Sequence, residues 1–75
     1  MKTDSRNSSI LIKINGEDKS IPQNISILNL IELLKINKDR VVIELNKNIL
    51  RKELFNSTLL SENDKLEIVT FVGGG

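Results

Sequence analysis

Apolar and polar residues alternate with period two in several short stretches of the chain and follow the helical period in one. Ile10, Ile12 and Ile14 fall on one side of the first stretch and Leu11 and Lys13 on the other, which predicts a half-buried strand over residues 10–14. Asn15-Gly16 follows, a dipeptide that accepts the positive φ angles of a tight hairpin, so residues 18–21 are expected to return antiparallel until Pro22, which has no N–H to give a ladder. The helical stretch opens at Ser26, an N-cap residue, with Ile25 and Leu30 at the positions of a hydrophobic staple. Ile27, Leu30, Ile31 and Leu34 make its apolar stripe, Leu28 and Leu33 widen it, and Ile36-Asn37 is the predicted exit, because Asn tolerates the left-handed conformation that closes many helices.

Alternation resumes over residues 41–46, with Val41, Ile43 and Leu45 inward and Val42, Glu44 and Asn46 outward. Asn46-Lys47-Asn48 supplies turn chemistry, and Ile49-Leu50 has room only for a very short edge strand. Residues 51–60 have no period. Leu54, Phe55, Leu59 and Leu60 are their expected anchors into the core. Residues 61–64, Ser-Glu-Asn-Asp, turn the chain into a last strand from Leu66, with Leu66, Ile68 and Thr70 on its core face. The element order is strand, strand, helix, strand, short strand, strand, which predicts an α+β fold: a mixed sheet of four to five strands with one helix packed on one face.

At 75 residues this is one small domain near the lower limit for a single unstapled core, and no internal repeat or second domain is visible. The chain has neither Cys nor His, which removes disulfides, cysteine-ligated metals, the commonest transition-metal ligand and the usual general base. No catalytic constellation can be assembled from what remains, so the expectation is that the protein is not an enzyme and carries no metal or cofactor of its own. A formal net charge of +1 and only two aromatic residues, Phe55 and Phe71, argue against nucleic acid as a partner. No run is long enough to span a membrane. Residues 1–9 are polar, lack the apolar core of a signal peptide and are read as a disordered leader. The N-x-S/T triplets at Asn7, Asn24 and Asn56 are read as accidents of an Asn- and Ser-rich composition.

The terminal stretch, K-L-E-I-V-T-F-V-G-G-G over residues 65–75, organises the rest. A paired strand holds the chain to about Phe71, and Gly73, Gly74 and Gly75 are expected to project into water as a flexible tail. Residues 72–75, fully extended, reach roughly 13 Å, which places the Gly75 carboxylate within reach of another protein's active site. The expected organisation is a leader over residues 1–9, a domain over residues 10–72 and a tail over residues 73–75. On the last strand, Val69 and Phe71 fall opposite the core residues, beside outward Val42, and with Val72 they form a candidate partner-binding surface. Alternatively, the irregular segment 51–60 covers them. Arg51 and Lys52 are candidates for steering an acidic partner, although such pairs are usually only a solvated face.

Residues 41–75 resemble the ThiS family, the sulfur carriers of thiamine biosynthesis. The resemblance rests on V-V-I-E-L-N at 41–46, N-I-L at 48–50, the Asn63-Asp64 turn and, above all, L-E-I-V-T-F-V-G-G-G at 66–75. Arg51, Lys52 and Phe55 stand where the family often has Pro-Arg and Trp, and Asn63 stands for its usual Gly. The Gly-Gly end alone is shared with the molybdopterin-synthase sulfur carrier and with ubiquitin-like protein modifiers, which remain the alternatives.

The resemblance implies the β-grasp, ubiquitin-like fold, with the first and last strands adjacent and parallel at the sheet centre. It implies that Gly75 is the adenylation and thiocarboxylate site, that Gly73 and Gly74 thread a narrow channel, and that ATP and Mg²⁺ are used by the partner. The implied partners are a ubiquitin-activating-like adenylating enzyme, a sulfur donor enzyme and thiazole synthase. The implied compartment is the cytoplasm, or the plastid stroma in a photosynthetic eukaryote.

Overall fold

A computed structural model describes residues 8–71. Five strands, β1 (Ser9–Ile14), β2 (Glu17–Pro22), β3 (Val41–Leu45), β4 (Asn48–Leu50) and β5 (Lys65–Thr70), form one sheet in the order β2-β1-β5-β3-β4, and a single α-helix, α1 (Ile27–Leu33), stands between β2 and β3. Two neighbours of β5 run in opposite senses: β1 pairs with it parallel at Lys13–Lys65 and Ile14–Leu66, and β3 pairs with it antiparallel from Val41–Thr70 to Leu45–Leu66. This is the mixed sheet and central parallel pair that the β-grasp resemblance implies.

Both hairpins turn on two residues of positive φ, Asn15 (51°) with Gly16 (85°) and Asn46 (52°) with Lys47 (74°), the geometry whose twist matches paired strands. β1 begins at Ser9, a residue assigned above to the leader, Ser8 of that leader accepts the Gln23 N–H through its carbonyl at 3.4 Å, and residues 1–7 lie outside the described residues. Pro22 closes β2 opposite Ser9 and belongs to the ladder itself. It is tolerated there because β2 is an edge strand, where a missing N–H goes unnoticed.

The core lies between the sheet and α1. Ile12, Ile21, Ile43, Leu66 and Ile68 from the strands meet Ile25, Ile27, Leu30 and Ile31 from the helix and its approach, with Phe55 and Leu60 closing the side. Ser26 caps α1 as expected, its Oγ accepting the Asn29 N–H at 3.0 Å.

The helix is shorter than its apolar period suggests. Lys35, not Asn37, takes the left-handed conformation (φ 63°), with its N–H donating to Glu32 O at 3.0 Å and the Ile36 N–H donating back to Ile31 O at 2.9 Å. That double closure is a Schellman motif with half-buried Ile36 as its apolar seal. Asn37 instead caps the following 3-10 turn, Lys38–Arg40, its Oδ1 accepting the Asp39 N–H at 2.8 Å. Leu34, expected in the stripe, is the C-cap and is exposed, and Leu33, expected to widen it, lies within α1 on the side away from buried Ile27, Leu30 and Ile31 and faces water.

Two of the four expected anchors in residues 51–60 are also corrected. Phe55 and Leu60 are buried, whereas Leu54 and Leu59 face water, since a 3-10 turn at Lys52–Leu54 sets a different period. Thr70, given above to the core face, is exposed at the end of β5.

Candidate functional site

The site is built on β5, the strand that leads to the C-terminal glycines. Its rigidity comes from both neighbours and from two asparagine side chains. Where β1 turns away at Asn15, the side-chain amide of that residue continues the ladder: Oδ1 accepts the Ile68 N–H at 2.7 Å and Nδ2 donates to Ile68 O at 3.1 Å. At the other end Asn46 Oδ1 accepts the Lys65 N–H at 2.9 Å, and its Nδ2 donates to Asp64 Oδ1 at 3.0 Å. Asp64 in turn accepts the Ser61 N–H, and Asn63, which stands where the family usually has Gly, takes the left-handed conformation (φ 71°). The last backbone bond of the described chain runs from the Phe71 N–H to Arg40 O at 2.9 Å, so the strand is held up to Phe71.

Alternation along β5 sends Leu66 and Ile68 into the core and Lys65, Glu67, Val69 and Phe71 to the opposite, open face of the sheet. Val69 lies directly opposite Val42 on β3, and the three residues are 57% (Val69), 49% (Phe71) and 37% (Val42) exposed. The structure thus brings together three of the four predicted surface residues. Val72 and the tail, Gly73, Gly74 and Gly75, lie outside the described residues.

Segment 51–60 does not cover this face. It runs beside the helix, where Ile27 and Leu28 donate their N–H groups to Thr58 O and Phe55 O, each at 2.9 Å, and Leu60 donates to Ile25 O at 3.0 Å. The basic pair is engaged locally. Lys52 Nζ lies 2.9 Å from Asp39 Oδ1, and Arg51 Nε lies 3.8 Å from Glu53 Oε1. The hydrogen bond from Lys52, and then its charge, hold the Asp39 carboxyl below its ordinary value, and the same bond raises Lys52. Both groups are exposed, so their pairing contributes little to stability.

Sequence reasoning missed Ile49, which is 68% exposed on the same open face opposite Glu44. The signal was available: a two-residue turn at Asn46-Lys47 fixes Leu45 opposite Asn48 and therefore Glu44 opposite Ile49. Asn15 was read only as a turn former. Among the described residues no cluster of acidic, His or Cys side chains could hold a metal, and no helix is long and apolar enough to cross a membrane.

A five-stranded mixed sheet with one covering helix and one open face that leads to a glycine end defines a small ubiquitin-like protein. The ThiS family model matches residues 11–75, and the chain belongs to that family of sulfur carriers. It is 33% identical to the sulfur carrier protein ThiS of Bacillus subtilis, over 87% of this chain and 100% of that protein. It is 47% identical to the ycf40 protein of Pyropia yezoensis, over 91% of this chain and 96% of the other. A thiazole synthase of Paramagnetospirillum magneticum is 34% identical over 83% of this chain, which spans only 19% of that longer protein. The crystal structure of the thiamine biosynthesis protein ThiS from Geobacter metallireducens superposes with a TM-score of 0.75 at 28% identity, covering 88% of this chain and 100% of that one.

Proposed function

We propose that the protein carries sulfur on its C-terminal carboxylate for formation of the thiazole ring of thiamine. In this reading the Gly75 carboxylate attacks the α-phosphorus of ATP, held with Mg²⁺ by a ubiquitin-activating-like enzyme, and pyrophosphate leaves. A carboxylate is a poor electrophile because its leaving group would be an oxide. The acyl-adenylate replaces that with AMP, a good leaving group. A sulfide-equivalent nucleophile from a donor enzyme then adds to the carbonyl carbon, AMP departs, and a thiocarboxylate remains for thiazole synthase to consume. The protein is a carrier and a substrate, and its own residues hold and present the reacting group.

The observation that carries this reading is the family match, which runs through Gly75. The named ThiS and thiazole synthase relatives favour thiazole formation over the molybdopterin route and over conjugation to target lysines. Thiazole synthase is the proposed sulfur acceptor, and relatives with the plastid reading-frame name ycf40 favour the plastid stroma over the cytoplasm. The open sheet face with Val42, Val69 and Phe71 is the proposed docking surface for the adenylating enzyme, and Val72, the next residue in sequence, is assigned to it in this reading.

Gly73 and Gly74 are given the role of threading. A Cβ at residue 74 would meet the channel walls or forbid a backbone conformation open only to glycine. Pyrophosphate exchange catalysed by the adenylating enzyme is therefore expected to fall steeply from wild type to Gly74→Ala to Gly74→Val, while circular dichroism and the thermal midpoint stay unchanged. Equal exchange rates for all three would contradict the threading role.

A further inference from the structure

The open face is banded by charge. Successive outward residues along β5 are Lys65, Glu67 and Val69, about 7 Å apart in each step along a strand, and Phe71 follows just past the strand end. Register puts a like residue beside three of them: Val42 lies directly opposite Val69, Glu44 opposite Glu67, and Lys13 on β1 beside Lys65. From the tail end the face therefore reads apolar, then acidic, then basic. Ile49 extends the acidic row with an exposed apolar side chain on β4. At the basic end a concavity of about 290 Å³ opens, lined among others by Leu11, Lys13 and Lys65.

Two carboxylates placed directly across a ladder oppose folding. Neither Glu44 nor Glu67 has an ion-pair partner among the described residues, whereas Lys13 is engaged by Asp18 at 2.7 Å. We infer that this face docks a protein surface that presents apolar side chains nearest the tail and, one row further on, an arginine whose guanidinium sits between Glu44 and Glu67. A planar fork with several N–H donors matches two adjacent carboxylates better than a compact ammonium does.

A second copy of this chain is a poor occupant. A two-fold axis along the strands would stack Glu on Glu and Lys on Lys. An axis across them brings the Glu and Lys rows together only by leaving the valine row and Phe71 uncovered. The order of the bands instead fixes one orientation of a different partner, the one that delivers the chain end to its apolar side.

This inference rests on the docking role given above to the sheet face, and the adenylating enzyme is the probe. Its affinity for the full chain is measured by calorimetry at several salt concentrations, with the paired variant Glu44→Gln/Glu67→Gln, the apolar variant Val69→Ser/Phe71→Ser, and Glu32→Gln on the helix. The glutamine pair is expected to weaken binding about tenfold or more and to flatten its salt dependence, with Glu32→Gln at the wild-type value. Its thermal midpoint is expected to hold or rise, because a repulsion has been removed; a merely structural role for the glutamates would lower it. Wild-type affinity of the glutamine pair, with binding lost in the apolar variant, would overturn the arginine inference and leave sheet-face docking intact. Wild-type affinity of both variants would overturn docking as well.

Discussion

Asn15 is the residue whose role reaches furthest from its place in sequence. Its dipeptide identified a hairpin turn, and positive φ at both positions bears that out. The bonds from its amide to Ile68, 53 residues away, were not legible, because periodicity specifies faces and not which strands become neighbours. Asn15→Ala should destabilise the protein by about 2 kcal/mol, through two lost hydrogen bonds and a strained left-handed alanine. Asn15→Gly, which accepts the backbone and lacks the amide, should recover part of that loss. Urea denaturation reads both, and wild-type stability of Asn15→Ala would refute the clasp.

Asp39 offers a test of sign at the same scale. Its carboxyl is held below the ordinary 3.8 by the Lys52 hydrogen bond and charge, so the pair's contribution is present above that value and is lost as pH falls through the lower, folded one. Lys52 is raised above the ordinary 10.5, so its share persists until pH climbs through that higher value. Thermal melts of wild type and Asp39→Asn should therefore differ slightly at neutral pH and converge in strong acid. A gap that widens on acidification would contradict the assignment.

Among the elements, the strands were more legible than the helix end. Alternation placed Ile12, Ile43 and Leu66 in the core and Val42, Val69 and Phe71 on the open face, because a period of two leaves each residue only two sides. The helix exit was misplaced for a definite reason: residue type favoured Asn37, but closure needs an apolar residue just past the left-handed one, and Ile36 supplies it for Lys35. Lysine bears a steric penalty in that conformation that glycine does not. Lys35→Gly is thus expected to stabilise the fold by about 0.5 kcal/mol, the relief of strain exceeding the added chain entropy. A lower denaturant midpoint would show that the lysine side chain contributes more than the strain removes. Leu54 and Leu59 were misjudged on hydrophobicity alone, in a segment whose 3-10 turn offers no period to decide which leucine faces inward.

For the whole molecule, the sequence specified the order of elements but not the parallel pairing of β1 with β5, which followed from resemblance to the β-grasp family. The physical difficulty is that two strands at opposite ends of the chain, paired at Lys13–Lys65, leave no local signal of contact. That pairing sets β5 at the centre of the sheet, with the apolar, acidic and basic rows of the open face running along it, so the docking surface proposed above lies on the strand that precedes the C-terminal glycines in sequence.

The central claim is that Gly75 carries sulfur, and the intact mass of the protein tests it most directly. After incubation with the adenylating enzyme, ATP, Mg²⁺ and a sulfur donor, the mass should rise by the difference between sulfur and oxygen. Fragmentation should place that change on Gly75, and omission of ATP should abolish it. An unchanged mass under conditions in which the same enzymes load an established ThiS protein would contradict the account.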